Sequence, residues 1–160
     1  MSELVALEFD VTQVLFPGGL EAESKRVTAL AEQALADGRT VLVYTIRKRF
    51  DKQNADGEEQ LQMAVEISQA VTAVIAGLTV QPSFIVAKGG ITSSDVGVKA
   101  LKVRRALVMG QILPGIPVWK TDEWSKFPGM PYVIFPGNVG DENALLNVVK
   151  MLSRDDGSQH

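Results

Sequence analysis

Apolar, β-prone runs alternate with helical patterns along the chain, and this alternation limits the folds that it can adopt. Short runs rich in β-branched residues predict strands, and longer segments with apolar residues at helical spacing predict helices. The predicted strands are residues 4–9, 40–46, 84–87, 105–109 and 132–135, and the predicted helices are 21–36, 58–76, 93–101 and 141–152. The pattern predicts an α/β layered fold with a largely parallel sheet flanked by helices.

The length of 160 residues suits one domain. We expect a single domain over residues 1–152 and a polar, disordered tail over 153–160. Pro114, Gly115 and Pro117 make the segment 110–121 extended or turning rather than helical. The polar segment 47–57 has no apolar periodicity and is predicted to be a mobile surface loop.

Composition excludes several classes of function. The chain has no cysteine, and its only histidine is His160, so a histidine-based triad and a cysteine or multi-histidine metal site are excluded. The net charge of −3 disfavours nucleic acid as the main partner. We find neither a secretion signal at the start nor an apolar stretch long enough to span a membrane, and we expect a cytoplasmic protein.

Two glycine-rich turns follow predicted strands and precede predicted helices. Gly89-Gly90 follows the third strand, with Thr92 or Ser93 as the helix cap, and the turn 137–140 follows the last strand, with Asn138 as the cap. Glycine lets a ligand approach the backbone without a Cβ in the way, and the first amides of a helix attract anions. The turns are expected at the carboxyl ends of parallel strands, where α/β sheets hold ligands.

Other interpretations of these segments stay open. Both turns also fit ordinary strand-to-helix connections, since glycine and capping residues serve those as well. Acids in the first turn of a helix, here Asp95, Asp141 and Glu142, are favoured by the helix dipole and would repel a bare phosphate unless a metal ion intervened. A GxxxxGK[ST] motif and a GxGxxG motif are both absent.

Further candidate residues have an ordinary explanation beside a functional one. Lys88 adjoins the first turn and is either a phosphate contact or a solvated lysine. The basic cluster 47–49 either neutralises a ligand or is a solvated loop. The aromatic residues of the proline-rich stretch either flank an adenine or cover the edge of the core; these are Trp119, Trp124 and Phe127. Glu8 and Asp10 end the first strand, and no base in the sequence pairs with them.

Three segments in order resemble one family. The segments 84–96, 110–119 and 135–141 are similar to signatures of the four-carbon acid sugar kinases, within their C-terminal nucleotide-binding domain. The resemblance runs from about residue 4 to 152. It implies ATP as the ligand, with magnesium, in phosphoryl transfer to a threonate- or erythronate-type acid. The residues that it assigns to nucleotide binding are Gly89, Gly90, Ile91, Thr92, Gly137, Asn138 and Gly140.

The resemblance also implies a partner. In this family an N-terminal domain binds the acid sugar, and the resemblance places neither that domain nor the family's upstream serine-containing ATP loop within residues 1–160. We therefore expect a domain that is inactive alone, with an unassigned catalytic residue and no assigned metal ligand. The alternative hypothesis is a stand-alone, non-catalytic nucleotide-binding or protein-assembly module that forms a homodimer.

Overall fold

The computed structural model describes residues 4–45, 57–88, 96–104, 107–135 and 143–155. Within these ranges the chain forms two compact units, an N-terminal unit (Ser2–Val80) and a C-terminal unit (Gln81–His160). Both combine helices and strands, which confirms the α/β class. The expectation of one domain over residues 1–152 stays a prediction.

The N-terminal unit is a parallel pair of strands covered by two helices. Its elements are β1 (Leu4–Phe9), a 3-10 turn (Val11–Leu15), α1 (Gly19–Ala36), β2 (Thr40–Thr45) and α2 (Gly57–Ala76). The two strands pair in parallel from Leu4 opposite Thr40 to Phe9 opposite Thr45. The core is built by buried side chains of the first strand, the turn and both helices, namely Phe9, Val11, Val27, Ala70 and Val74.

Helix α1 ends where the sequence predicts. Asp37 caps it with a backbone N–H that donates to Gln33 O, and Gly38 follows with φ of +77°. This left-handed conformation is one that glycine adopts without a Cβ penalty. Arg39 N then donates to Ala34 O at 2.9 Å. The Asp37-Gly38 pair therefore stops the helix and turns the chain toward β2.

The C-terminal unit is a four-stranded mixed sheet with one long helix on it. Its elements are β3 (Ile85–Lys88), a π-helical turn (Val96–Ala100), β4 (Leu107–Leu113), β5 (Ile116–Lys120), β6 (Pro131–Phe135) and α3 (Ala144–Asp155). The strand order is β3-β6-β5-β4. Strands β3 and β6 are parallel, whereas β6 with β5 and β5 with β4 are antiparallel. The sheets of the described residues are thus partly parallel.

The predicted extended segment 110–121 is most of a β-hairpin. Leu113 pairs with Ile116 across a turn at Pro114 and Gly115, where Gly115 has φ of +81°. Helix α3 covers the face of the sheet that carries the core of the unit, formed by Ile116, Val133, Phe135, Ala144, Val148 and Leu152. Helix α3 continues to Asp155, three residues into the segment that was predicted to be a disordered tail. Residues 47–56 of the predicted surface loop lie outside the described residues, and Gly57 is the first residue of α2.

Candidate functional site

The two strands that lead into the glycine-rich segments are direct neighbours. Strands β3 and β6 run parallel, and their last residues, Lys88 and Phe135, are register partners. The chain therefore enters residues 89 and 136 from adjacent points on the carboxyl edge of one sheet. The residues assigned to nucleotide binding lie outside the described ranges; they are Gly89, Gly90, Ile91, Thr92, Gly137, Asn138 and Gly140.

All three segments of the resemblance reach this edge. Strand β5 is antiparallel to β6, with Val118 opposite Val133 and Lys120 opposite Pro131. Because the register continues toward the start of β5, the hairpin turn at Pro114 lies at the same edge as the end of β6. Segments 84–96, 110–119 and 135–141, which are distant along the chain, thus converge at one end of one sheet.

The connections that follow β3 and β6 return to opposite faces of the sheet. Phe135 packs with Ala144 of α3, so the helix after β6 covers that face. Tyr132 points to the other face because side chains alternate along a strand. The π-helical turn after β3 lies there, since a Cβ on Gly97 would be 3.4 Å from Tyr132 Cε1. Where connections diverge in this way, the strand ends leave a crevice, and open α/β sheets bind ligands at such points.

Tyr132 anchors the π-helical turn and is not poised for proton transfer. Its side chain is buried, and burial raises its pKa well above the ordinary tyrosine value, although a backbone hydrogen bond with Gly97 acts in the opposite direction. The phenol is therefore neutral at physiological pH. Its contact with Gly97 gives the sheet a fixed point beneath the segment that follows β3.

Lys88 is the last described residue before the first glycine segment. It is exposed at the end of β3, and its Nζ lies 5.5 Å from the centroid of the Phe135 ring. Phe135 itself is 1% exposed, so the ring is a rigid support. The contact is a cation–π interaction that places a positive charge across the ends of β3 and β6.

The aromatic candidates separate into different environments. Phe127 is buried and belongs to the interior of the unit, whereas Trp124 is 59% exposed. Trp119 is half-buried on β5 opposite Tyr132, and its buried indole Nε1 has no hydrogen-bond partner among the described residues. None of the described contacts brings the three rings together. The remaining charged candidates, Asp95, Asp141, Glu142 and the basic cluster 47–49, lie outside the described residues.

Glu8 and Asp10 join a network that sequence reasoning missed. Glu23 of α1, which is 6% exposed, accepts hydrogen bonds from Asp10 N at 2.7 Å and from Arg26 Nη2 at 3.0 Å. Arg26 also donates through Nε to Glu23 and through Nη2 to Glu8 O at 3.0 Å. The Glu23-x-x-Arg26 spacing is the one sequence signal for it, because residues three apart share a helix face.

This network lines an open cavity of about 730 Å³ at the carboxyl end of β1. The hydrogen bond from Arg26 holds the pKa of the Glu23 carboxyl below its ordinary value, although burial acts in the opposite direction. The Asp10 carboxylate accepts from Thr12 N at 3.1 Å and from Thr12 Oγ1 at 2.6 Å. Since these groups fasten the 3-10 turn and α1 to β1, we assign the network a structural role.

The described residues contain neither a metal-binding cluster nor a membrane-spanning helix. No group of three or more histidine, cysteine, aspartate or glutamate side chains in the described ranges is arranged to hold a metal ion. No helix in the part of the chain that the structure describes has both the length and the apolar character needed to cross a membrane.

The comparison with protein families decides what this domain is. A family described as the nucleotide-binding C-terminal domain matches residues 2–145. The chain belongs to this family. The match confirms the resemblance to the C-terminal nucleotide-binding domain of the four-carbon acid sugar kinases. No curated protein matches the chain significantly.

Solved structures agree with the fold. One is a Bordetella bronchiseptica protein with a domain of unknown function, DUF1537, which was solved as a domain-swapped dimer with bound citrate. Its TM-score is 0.62, at 17% identity over 94% of this chain. A Haemophilus influenzae protein of the DUF1537 family has a TM-score of 0.60 at 23% identity over 92% of this chain. The nucleotide-binding domain spans only 35% and 34% of these two proteins.

Proposed function

We propose that this domain binds ATP at the carboxyl edge of β3 and β6 and serves as the nucleotide-binding part of a four-carbon acid sugar kinase. The observation that carries the proposal is the divergence of the two connections from adjacent strand ends, where Lys88 pairs with Phe135. Membership of a nucleotide-binding family supports a nucleotide as the ligand. ATP and the acid-sugar acceptor come from the kinase resemblance.

The residues present fit a polyphosphate. Backbone amides of Gly89, Gly90, Ile91 and Thr92, entered from β3, and of Gly137, Asn138 and Gly140, entered from β6, would hold the phosphates from two sides. Magnesium, when bound with ATP, would neutralise part of the phosphate charge. The protein's contribution is positioning, which in phosphoryl transfer supplies much of the catalysis together with charge stabilisation.

A complete kinase would need a further domain that presents the acceptor. We propose an N-terminal acid-sugar-binding domain as the partner and threonate- or erythronate-type acids as substrates. This domain alone is then expected to bind ATP without transferring its terminal phosphoryl group to such an acid. The relatives are about three times as long as this chain, which leaves room in them for such a domain.

Calorimetric titration with magnesium and ATP tests the proposal. Gly90→Leu and Gly137→Leu are each expected to weaken ATP binding at least about tenfold, because a side chain would occupy the space that the phosphates need. Gly57→Leu is the matched control, since a Cβ on Gly57 meets nothing within 4 Å. Absence of ATP binding by the unmodified, folded protein would refute the proposed function.

A second candidate function is assembly through a homodimer. The outer face of the β1–β2 pair exposes Leu4, Leu42 and Tyr44, whereas parallel sheets are normally covered on both faces. The Bordetella relative is a domain-swapped dimer. Analytical ultracentrifugation should then find a dimer that Leu42→Lys dissociates, with Leu61→Lys on α2 as the exposed control. A monomer at all concentrations would exclude this function.

A further inference from the structure

Lys88 combines an exposed charge with a fixed position. It is the last residue of β3, and its ammonium group lies 5.5 Å from the centre of the Phe135 ring, across the end of the neighbouring strand. Side chains at every second position of a strand share one face of the sheet. Phe84 and Val86 pack against the core beneath α3, so Lys88 also projects on the α3 side. The ammonium group is thus held on the face where the connection after β6 returns.

The charge of Lys88 has no carboxylate within ion-pair distance among the described residues. Lys25 and Arg26, by contrast, are paired with Glu21 and Glu23. A cation that rests on an aromatic ring keeps its N–H donors for a further acceptor, because the ring attracts the charge without accepting those hydrogen bonds in full. The structure therefore offers a preorganised donor at the junction of β3 and β6.

We propose that Lys88 contacts the phosphates of the bound nucleotide and makes the site select nucleotides by phosphate number. This inference rests on the proposed function and adds to it a side-chain cation, which the two glycine segments lack. The sequence has no GxxxxGK[ST] lysine, and in the proposed site Lys88 would supply the positive charge that such a lysine provides in P-loop sites. An ammonium group is a compact point charge that suits phosphate oxygens.

The matched control is Lys120, which is exposed at the opposite edge of the same sheet. Lys120 ends β5 and pairs with Pro131, the first residue of β6, whereas Lys88 pairs with the last residue of β6. Lys88→Met and Lys120→Met thus remove the same charge from the two edges of one sheet. Lys88→Arg keeps the charge and tests whether it is sufficient.

Calorimetric titration of each variant with ATP, ADP, AMP and adenosine, with magnesium present throughout, tests the inference. Lys88→Met is expected to weaken ATP binding about tenfold, AMP binding less, and adenosine binding not at all. Its ATP affinity should also depend less steeply on salt between about 50 and about 300 mM, because one charge contact is lost. Lys88→Arg should restore most of the ATP affinity, and Lys120→Met should match the unmodified protein.

The outcomes separate this inference from the proposed function. If the unmodified protein binds none of the four compounds, the proposed function is wrong, and the role of Lys88 is wrong with it. If it binds ATP and Lys88→Met binds ATP equally well, only the role of Lys88 is overturned. An equal loss for adenosine and ATP would also overturn it, since that pattern indicates a change in the fold of the site.

Discussion

Glu23 illustrates how one buried carboxylate organises the end of a strand. Its carboxylate accepts hydrogen bonds from Asp10 N and from the guanidinium of Arg26, and so it fastens α1 to the segment that follows β1. Glu23→Gln is expected to lower the free energy of unfolding by about 1–2 kcal/mol, because charged hydrogen bonds are replaced by weaker ones. The control is Glu21→Gln on the same helix, whose exposed pair with Lys25 should be worth less than about 0.5 kcal/mol. Urea unfolding of the three proteins measures both differences.

The same carboxylate predicts a dependence on pH. Because its pKa is lower in the folded than in the unfolded state, Glu23 stabilises the fold above the unfolded pKa, and this contribution is lost as the pH falls through the folded pKa. The difference in unfolding free energy between the unmodified protein and Glu23→Gln should therefore be largest near neutral pH and should disappear at acidic pH. A difference that stays constant from neutral to acidic pH would contradict this assignment.

Any side chain at Gly19 is predicted to destabilise the fold. A Cβ at this position would overlap Gln13 O and approach Gln13 Oε1 at 3.1 Å, and the carbonyl belongs to the backbone of the 3-10 turn. Gly19→Ala should cost about 1–3 kcal/mol of unfolding free energy, since the turn must shift. Gly57 is the first residue of α2, and a Cβ there meets nothing within 4 Å. Gly57→Ala should therefore leave the free energy of unfolding unchanged or raise it slightly. Thermal unfolding of the two variants compares them directly.

At the scale of elements, Thr121 holds the connection from β5 to β6. Its hydroxyl donates to Phe127 O at 2.5 Å and accepts from Met130 N at 2.9 Å, and the side chain is buried. Thr121→Val keeps the shape but leaves both backbone groups without a partner, at a cost of about 2 kcal/mol. Thr121→Ser keeps the hydroxyl and should lose less than about 1 kcal/mol. Chemical unfolding distinguishes the two; a loss in Thr121→Val no larger than that in Thr121→Ser would contradict the role of the hydroxyl.

Sequence periodicity predicted the elements well where local signals are strong. β1 was predicted with its observed bounds, and α1 and α2 began within two residues of the predicted starts. The start of β4 was predicted within the strand 105–109, but the rest of the β4–β5 hairpin was predicted only as extended or turning, because its pairing depends on residues far from Pro114. Strand pairing depends on tertiary contacts, so the alternation of strand and helix patterns in the sequence did not predict the antiparallel half of the C-terminal sheet.

The candidate site was predicted in part. The order of strand, glycines and helix predicted that residues after β3 and β6 share an edge, and the pairing of Lys88 with Phe135 agrees with that position. Local sequence does not determine which strands are neighbours or which face each connection takes. Local sequence also left both interpretations of Lys88 open, a phosphate contact and a solvated lysine, since the ring beneath it comes from a strand 47 residues further along.

At the scale of the whole molecule, a nucleotide held at the edge of β3 and β6 joins segments that are distant in sequence. Ligand binding stabilises the folded state by mass action, about 2.7 kcal/mol at a hundredfold excess over Kd. We therefore expect hydrogen exchange to slow most, with magnesium and ATP, in amides near the carboxyl ends of these strands, at Lys88 and Phe135. These amides should be protected from local opening more than those around Thr121, at the opposite edge of the same sheet.

Mass-spectrometric hydrogen exchange with and without nucleotide measures this difference. Adenosine serves as the comparison, because a ligand without phosphates should protect the two strand ends less if the phosphates lie between them. Equal slowing at both edges of the sheet would indicate only a general stabilisation of the C-terminal unit. Slower exchange confined to β1 and β2 would indicate that the nucleotide binds in the cavity beside Glu23, and it would contradict the site at β3 and β6.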